Sequence, residues 1–271
     1  MHIPFFKLPP IDLSFMGLGK VYWFSIFIVV GIFVGVMIYD RICTKGGDID
    51  IKIARILPEI ALLSGFIGAH LVHVLFYHPE MMKEDPYVLL KIWAGISSTG
   101  GFLGGALGVS LFLIYKKQAL IHYSDRLLLS LSVAWIFGRL GCATSHDHPG
   151  AKTDFFLGVA FKDGVRHDLG LYEFLFTILL FVPVLIKITK KSFRAGLPTT
   201  FLLLSYSVVR FLLDFLRAED RDFIDARYFG LTFAQYSCIA MFFLGVFLCY
   251  RLVRYRSDHK MQPALFNSPR H

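Results

Sequence analysis

Residues 197–217 read LPTTFLLLSYSVVRFLLDFLR. As a helix, a run of this length and apolar character covers about 30 Å, the thickness of the hydrocarbon core of a bilayer. Within it, Tyr206, Arg210, Asp214 and Arg217 follow one another at steps of four, four and three. That spacing puts them on one helix face. A charge is costly in hydrocarbon, so such a stripe turns toward a cavity inside a bundle and away from lipid. Arg210 and Asp214 are placed to pair, which lowers the cost of both. The stretch predicts a membrane-spanning helix that faces a polar interior.

Six further apolar runs flank it. The set is about 22–39, 56–77, 95–115, 127–142, 169–188, 197–216 and 231–252. Each approaches the ~20 residues a crossing needs. The fold expected is all-α: a polytopic integral membrane protein of about seven transmembrane helices, forming a single domain over 1–271. The composition agrees, with 55% hydrophobic, 16% aromatic and only 18% charged residues. A soluble chain carries nearer a quarter charged residues. The net charge of +8 does not point to nucleic acid, because the cations sit in short loops between apolar runs. No pair among Cys43, Cys142, Cys238 and Cys249 has metal-ligand spacing. The first twenty residues lack the basic start and long apolar stretch of a cleavable signal peptide.

Alternate connections differ in charge. One set holds Arg41, Lys45, Lys52 and Arg55; Lys116, Lys117 and Arg126; Lys187, Lys190, Lys191 and Arg194; and Arg251, Arg254, Arg256, Lys260 and Arg270. In the other set, acids match the cations. Lys83 and Lys91 stand against Glu80, Glu84 and Asp85, and Arg217, Arg221 and Arg227 against Glu219, Asp220, Asp222 and Asp225. The rule that cytoplasmic loops are cationic puts the N-terminus outside and the C-terminus in the cytoplasm. The longest connection, about Ala143 to Asp168, then lies outside, with part of it in or dipping into the interface.

Several residues share that outer half. Arg139 sits about one turn from the outer end of the fourth run, within Trp135-Ile136-Phe137-Gly138-Arg139-Leu140-Gly141-Cys142. Gly138 and Gly141 beside it permit close approach of a backbone or a lipid headgroup. The third run opens with Ser97-Ser98-Thr99-Gly100-Gly101, small residues that suit close helix packing. The fifth begins with Arg166-His167, then Tyr172-Glu173, and Glu173 reads as an interfacial acid, as does Glu59 near the inner end of the second run. His70 and His73 share a face but lack an evident third metal ligand. Two arginines at headgroup depth suit a phosphate or phosphodiester through charge-assisted hydrogen bonds. The ligand implied is an anionic phospholipid.

At these residues the chain resembles the prolipoprotein diacylglyceryl transferase family. The resemblance runs over roughly 20–256. It is carried by Tyr22-Trp23-Phe24, Gly100-Gly101, Gly138-Arg139-Leu140-Gly141 with Gly150, Arg166-His167, Leu171-Tyr172-Glu173, and Tyr206, Arg210 and Asp214. It implies transfer of diacylglyceryl from phosphatidylglycerol to the lipobox cysteine thiol in the signal-peptide region of a preprolipoprotein. The setting would be the bacterial cytoplasmic (inner) membrane, among membrane lipids, with no metal or organic cofactor. Arg139 and Arg210 would hold the phosphate, with Tyr206 and Asp214 orienting them. Thr99 and His167 stand at the remaining catalytic positions. Gly138, Gly141, Gly100, Gly101 and Tyr172 would line the lipid site.

The chain departs from the family pattern where a His usually precedes the double glycine, here Thr99, and where an Asn usually follows Gly141, here Cys142. Ser145, His146, Asp147 and His148 occupy the loop where a second Asn and a Glu are expected. Thr99 cannot act as a general base near neutral pH. His146, His148 and His167 are the candidates to replace the usual His. The alternative function is a phospholipid-binding or lipid-moving paralogue that keeps the two-arginine pocket without the reaction.

Overall fold

The computed structural model describes residues 2–17, 19–46, 49–189, 194–220 and 225–259. Of the charges counted for orientation, Lys190, Lys191, Arg221, Asp222, Lys260 and Arg270 lie outside them, as does the side chain of Arg256. Seven helices are long and apolar enough to cross a membrane: α1 (Trp23–Lys45), α2 (Ile51–Tyr77), α3 (Ser98–Tyr115), α4 (Leu120–Ser145), α5 (Leu169–Lys187), α6 (Leu197–Leu216) and α7 (Phe233–Arg254). The protein is a polytopic helical membrane protein. Large apolar side chains such as Val29, Phe33, Leu63, Ile114, Leu179 and Phe243 stand exposed on the outside of the bundle. Lipid is the solvent in which that surface is stable.

Polar residues fix the helix ends. Asp50 caps α2 by accepting from the N–H of Lys52 at 2.8 Å, Ser97 caps α3 through Gly100 at 3.1 Å, and Asp168 caps α5 through Leu171 at 2.9 Å. Each satisfies a backbone donor that the first helical turn leaves open. The start of α6 is capped from another helix. Asp125 of α4 accepts from the N–H groups of Gly196 and Thr199 and from the Thr199 hydroxyl, at 2.6, 3.1 and 2.6 Å. Asp125 is fully buried, so these three donors are what make its burial tolerable.

The helices pack chiefly as pairs: α2 with α3, α1 with α4, and α6 with α7, while α4 also touches α5 and α6. The α2–α3 pair is made by small residues. A Cβ on Gly68 would lie 2.6 Å from the Gly100 carbonyl oxygen, and one on Gly104 would lie 2.4 Å from that of Ser64. Glycine at both positions lets the two backbones meet.

The end of α4 and three short strands occupy the connection from Ala143 to Asp168. The N-terminal residues form β1 (Ile3–Pro4) and the hairpin β2 (Ile11–Asp12) with β3 (Lys20–Val21). The connection itself forms β4 (Pro149–Lys152), β5 (Val159–Phe161) and β6 (Gly164–Asp168). These make a four-stranded sheet in the order β1-β5-β6-β4, with β1 parallel to β5 and the other pairs antiparallel. A second hairpin, β7 (Arg227–Tyr228) and β8 (Leu231–Thr232), precedes α7. The alternation of apolar and polar residues that marks a strand is inverted in β6, where the buried residues are Arg166 and Asp168.

Arg166 ties this sheet to the α6–α7 connection. It meets both carboxylate oxygens of Asp220, at 2.8 and 2.6 Å, and also Asp163 and the Gly150 carbonyl at 3.0 and 3.1 Å. The guanidinium holds the Asp220 carboxyl down at about 2. Gly150 pairs with Arg217 in an isolated antiparallel bridge. A Cβ there would sit 2.4 Å from the Leu216 carbonyl oxygen, so only glycine permits the approach. The N-terminal segment, the long connection and the α6–α7 connection thus gather at one end of the bundle.

Candidate active site

Just inside that end, α4, α5 and α6 each contribute a buried charge. Arg139, Glu173, Arg210 and Asp214 are 4, 3, 7 and 0% exposed. Arg139 Nη2 lies 2.9 Å from Glu173 Oε2. The other oxygen of Glu173 is 3.7 Å from Arg210 Nη1. Arg210 Nη2 continues to Asp214 Oδ1 at 3.0 Å. Arg217 Nε meets the same oxygen at 2.8 Å and pairs through its Nη1 with Asp225. The Thr232 hydroxyl donates to the second oxygen of Asp214. Cation and anion alternate along this chain, from Arg139 to Asp225, and the alternation allows so much charge to be buried. Removing one member would leave its neighbour uncompensated.

Glu173 is the correction to the sequence reading, which took it for an interfacial acid. It is the counter-ion shared by both arginines. The signal was present, because an acid in an apolar run has to be paid for by a partner. Its place near the start of α5 hid it. The α5 N-terminus packs against α4, so that a Cβ on Gly170 would lie 3.0 Å from the Cys142 carbonyl carbon. This close packing takes Glu173 out of solvent.

An aromatic wall stands beside the charges. The Arg139 guanidinium lies 4.2 Å from the centre of the Trp135 ring. Trp135 packs on Phe102 at 4.8 Å and meets Tyr206 edge-on at 6.3 Å. Tyr206 thus stands against the Trp135 ring that Arg139 covers. Of the buried donors here that have no hydrogen-bond partner among the described residues, Arg139 Nε and Trp135 Nε1 make no ion-pair contact either. A buried donor left unpaired costs about 1–3 kcal/mol, and an incoming acceptor would recover it.

The remaining predicted residues divide. Thr99 lies near the charges, with its hydroxyl 3.1 Å from that of Tyr77. His167 belongs to a separate group: its Nδ1 is 2.9 Å from the Tyr172 hydroxyl, and both rings meet Phe155. Burial pushes the His167 imidazole below its ordinary value. No contact among the described residues joins it to the arginine chain. The four glycines face neighbouring helices. A Cβ on Gly141 would lie 3.0 Å from the Phe24 ring, and one on Gly138 3.6 Å from Ile28, both in α1. A Cβ on Gly100 would lie 2.3 Å from the Gly68 carbonyl oxygen, and one on Gly101 3.8 Å from Ala69, both in α2. Each of the four thus serves helix packing, Gly100 and Gly141 at close approach and Gly138 and Gly101 at ordinary contact distance.

The histidines also separate. His70 lies between two backbone carbonyls, those of Gly95 and Val88, at 2.9 and 3.0 Å. Its ring is thus committed to holding the α2–α3 connection. His146 ends α4 with a left-handed backbone, φ +51°. Its Nδ1 is 2.5 Å from Asp168 and its Nε2 2.9 Å from the Phe6 carbonyl oxygen. Both partners are acceptors, so the bonds call for the imidazolium, and the adjacent Asp168 carboxylate raises the His146 pKa.

Comparison with known proteins bears on this arrangement. The family model for prolipoprotein diacylglyceryl transferase matches residues 10–251. A phosphatidylglycerol–prolipoprotein diacylglyceryl transferase of Polynucleobacter necessarius is 32% identical over 69% of this chain and 72% of its own length. One of Chromohalobacter salexigens is 28% identical over 89% of this chain and 92% of its own. One of Tolumonas auensis is 30% identical over 79% and 84%.

Proposed function

The chain belongs to the prolipoprotein diacylglyceryl transferase family, and we propose that it transfers diacylglyceryl from phosphatidylglycerol to the lipobox cysteine of a preprolipoprotein. The observation that carries this reading is the pair of arginines, from α4 and α6, that share the buried Glu173. An empty two-arginine site in low dielectric needs a resident counter-ion, and Glu173 supplies it. A phosphodiester entering beside Arg139 would accept from the unpaired Arg139 Nε and Trp135 Nε1.

In the reaction the thiol sulfur attacks the glycerol carbon of the diacylglyceryl group. A carbon–sulfur bond forms. The carbon–oxygen bond to phosphate breaks, its electron pair stays on the phosphate oxygen, and glycerol phosphate leaves. The thiol proton is lost to solvent or to a base. Negative charge gathers on the leaving phosphate, where fixed cations act with most effect. Arg139 and Arg210 are the catalytic residues in this reading, while Asp214 positions Arg210 and the Tyr206 ring confines the site. The charge pattern of the loops supports a site toward the outer leaflet of the bacterial cytoplasmic membrane, the side on which the signal-peptide region of the substrate would meet it.

The test is thioether formation from phosphatidylglycerol and a lipobox peptide by purified protein. Arg139→Ala and Arg210→Ala should each lower turnover at least about a hundredfold. Arg→Lys at either position keeps the charge but not the planar fork, and should also be impaired. Near-normal turnover in both alanine variants at equal protein level would remove the clamp. Binding of phosphatidylglycerol without product, under all conditions, would favour the lipid-binding paralogue. The substitutions at Thr99 and Cys142 are the features that argue for that second reading.

A further inference from the structure

Cys142, Asp147 and His148 place a thiol, a carboxylate and an imidazole together at the outer end of α4. Their donor atoms all lie within 4.8 Å of one another. We propose that these three side chains form a binding site for a soft-to-borderline divalent cation of the zinc class. Thiolate, imidazole and carboxylate are the ligand types that such an ion takes, and three protein ligands leave a fourth position open.

The backbone brings the group together. Cys142 lies in the last turn of α4 with its thiol buried. At His146 the helix stops in a left-handed conformation, with its N–H bonded to the Cys142 carbonyl at 3.0 Å. The chain therefore reverses, and the next two residues fold back over Cys142. The reversal is held on both sides. His146 is fixed by Asp168 and Phe6, and the His148 carbonyl accepts from the N–H of Leu169 at 3.2 Å. Between these anchors, the side chains of Asp147 and His148 are 40 and 35% exposed and pair with each other at 2.5 Å. Ligand atoms at a tetrahedral zinc stand about 3.5 Å apart, so rotation of two exposed side chains is enough to close the site.

Arg139 Nη1 is 4.0 Å from the Cys142 sulfur, placed to donate to it. On binding, the sulfur–hydrogen bond breaks, a metal–sulfur bond forms, and the proton passes to solvent. Neither cysteine spacing nor the His70–His73 pair points to this group, because its donors are one residue of each kind and only the reversal at His146 assembles them.

Cobalt(II) is the probe, added to the full chain purified in detergent and freed of metal. Wild type should take up a single equivalent and develop a thiolate-to-cobalt charge-transfer band in the near ultraviolet. Cys142→Ser should lose the band, and Cys249→Ser, which removes an exposed thiol elsewhere, should keep it. Asp147→Asn and His148→Ala keep the thiol and should each weaken uptake by about tenfold or more. Zinc should bleach the band by competition. The proposal is overturned if wild type shows no charge-transfer band, or if the band survives in Cys142→Ser. Should Cys142→Ser fail to fold, unchanged uptake by His148→Ala would overturn it equally. Uptake is read without turnover, so it is independent of the transferase reading. Arg210→Ala, expected to lose turnover, should still bind cobalt.

Discussion

Thr99 and Tyr77 share a hydrogen bond beside the charged cluster, and neither takes a proton from a thiol near neutral pH. The proton of an attacking cysteine must then leave by another route. A thiol with a pKa near 8.5 is already a few per cent thiolate at pH 7, and nearby arginines raise that fraction. Turnover by wild type is therefore expected to be low and to rise with pH between about 7 and 9. In Thr99→His an imidazole stands at the position next to Tyr77. The rate near pH 7 should rise and the pH profile should flatten. Product formation by both proteins across that range is the measurement. A His variant with the same slope and the same rate as wild type would separate position 99 from proton transfer. Product from the variant alone would mark a chain that lost the reaction at this one residue.

The α2–α3 pair shows how much a single glycine decides within one element. A Cβ on Gly104 would lie 2.4 Å from the Ser64 carbonyl oxygen and 2.9 Å from the Gly68 Cα, both backbone atoms that cannot turn aside. A Cβ on Gly101 meets nothing nearer than the Ala69 methyl at 3.8 Å, an ordinary contact. Gly104→Ala should force the helices apart and cost about 1–3 kcal/mol, whereas Gly101→Ala should be nearly neutral. Thermal unfolding in detergent distinguishes them, and equal midpoints would mean that this pair is not held by close backbone approach. Because Ser97 at the head of α3 leads directly to Thr99, loosening α3 should also reduce turnover in Gly104→Ala. The same logic covers Gly141, whose Cβ would meet Phe24 of α1.

Across the whole molecule, three connections distant in sequence gather at one end, held by Arg166 with Asp220, by Gly150 with Arg217 and by β1 with β5. The charge asymmetry predicts that this end faces outward. A reporter inserted near Lys152 should read external and one fused after Lys190 cytoplasmic; the reverse pattern would put the arginine cluster in the other leaflet. The seven-helix character and the costly residues Arg139, Arg210 and Asp214 were legible in the sequence, because hydropathy and the expense of a charge in hydrocarbon are local properties. So was the Arg210–Asp214 pair, one helical turn apart on α6. The sheet at that end was not legible, because its strands are short and β6 buries Arg166 and Asp168 where apolar residues are expected. Only the tertiary structure decided that Glu173 joins Arg139 to Arg210, that His167 stands apart from them, and that Cys142 meets Asp147 and His148. Each of those contacts depends on the angle at which helices or a chain reversal bring separate segments together, and no local pattern of residues encodes that angle.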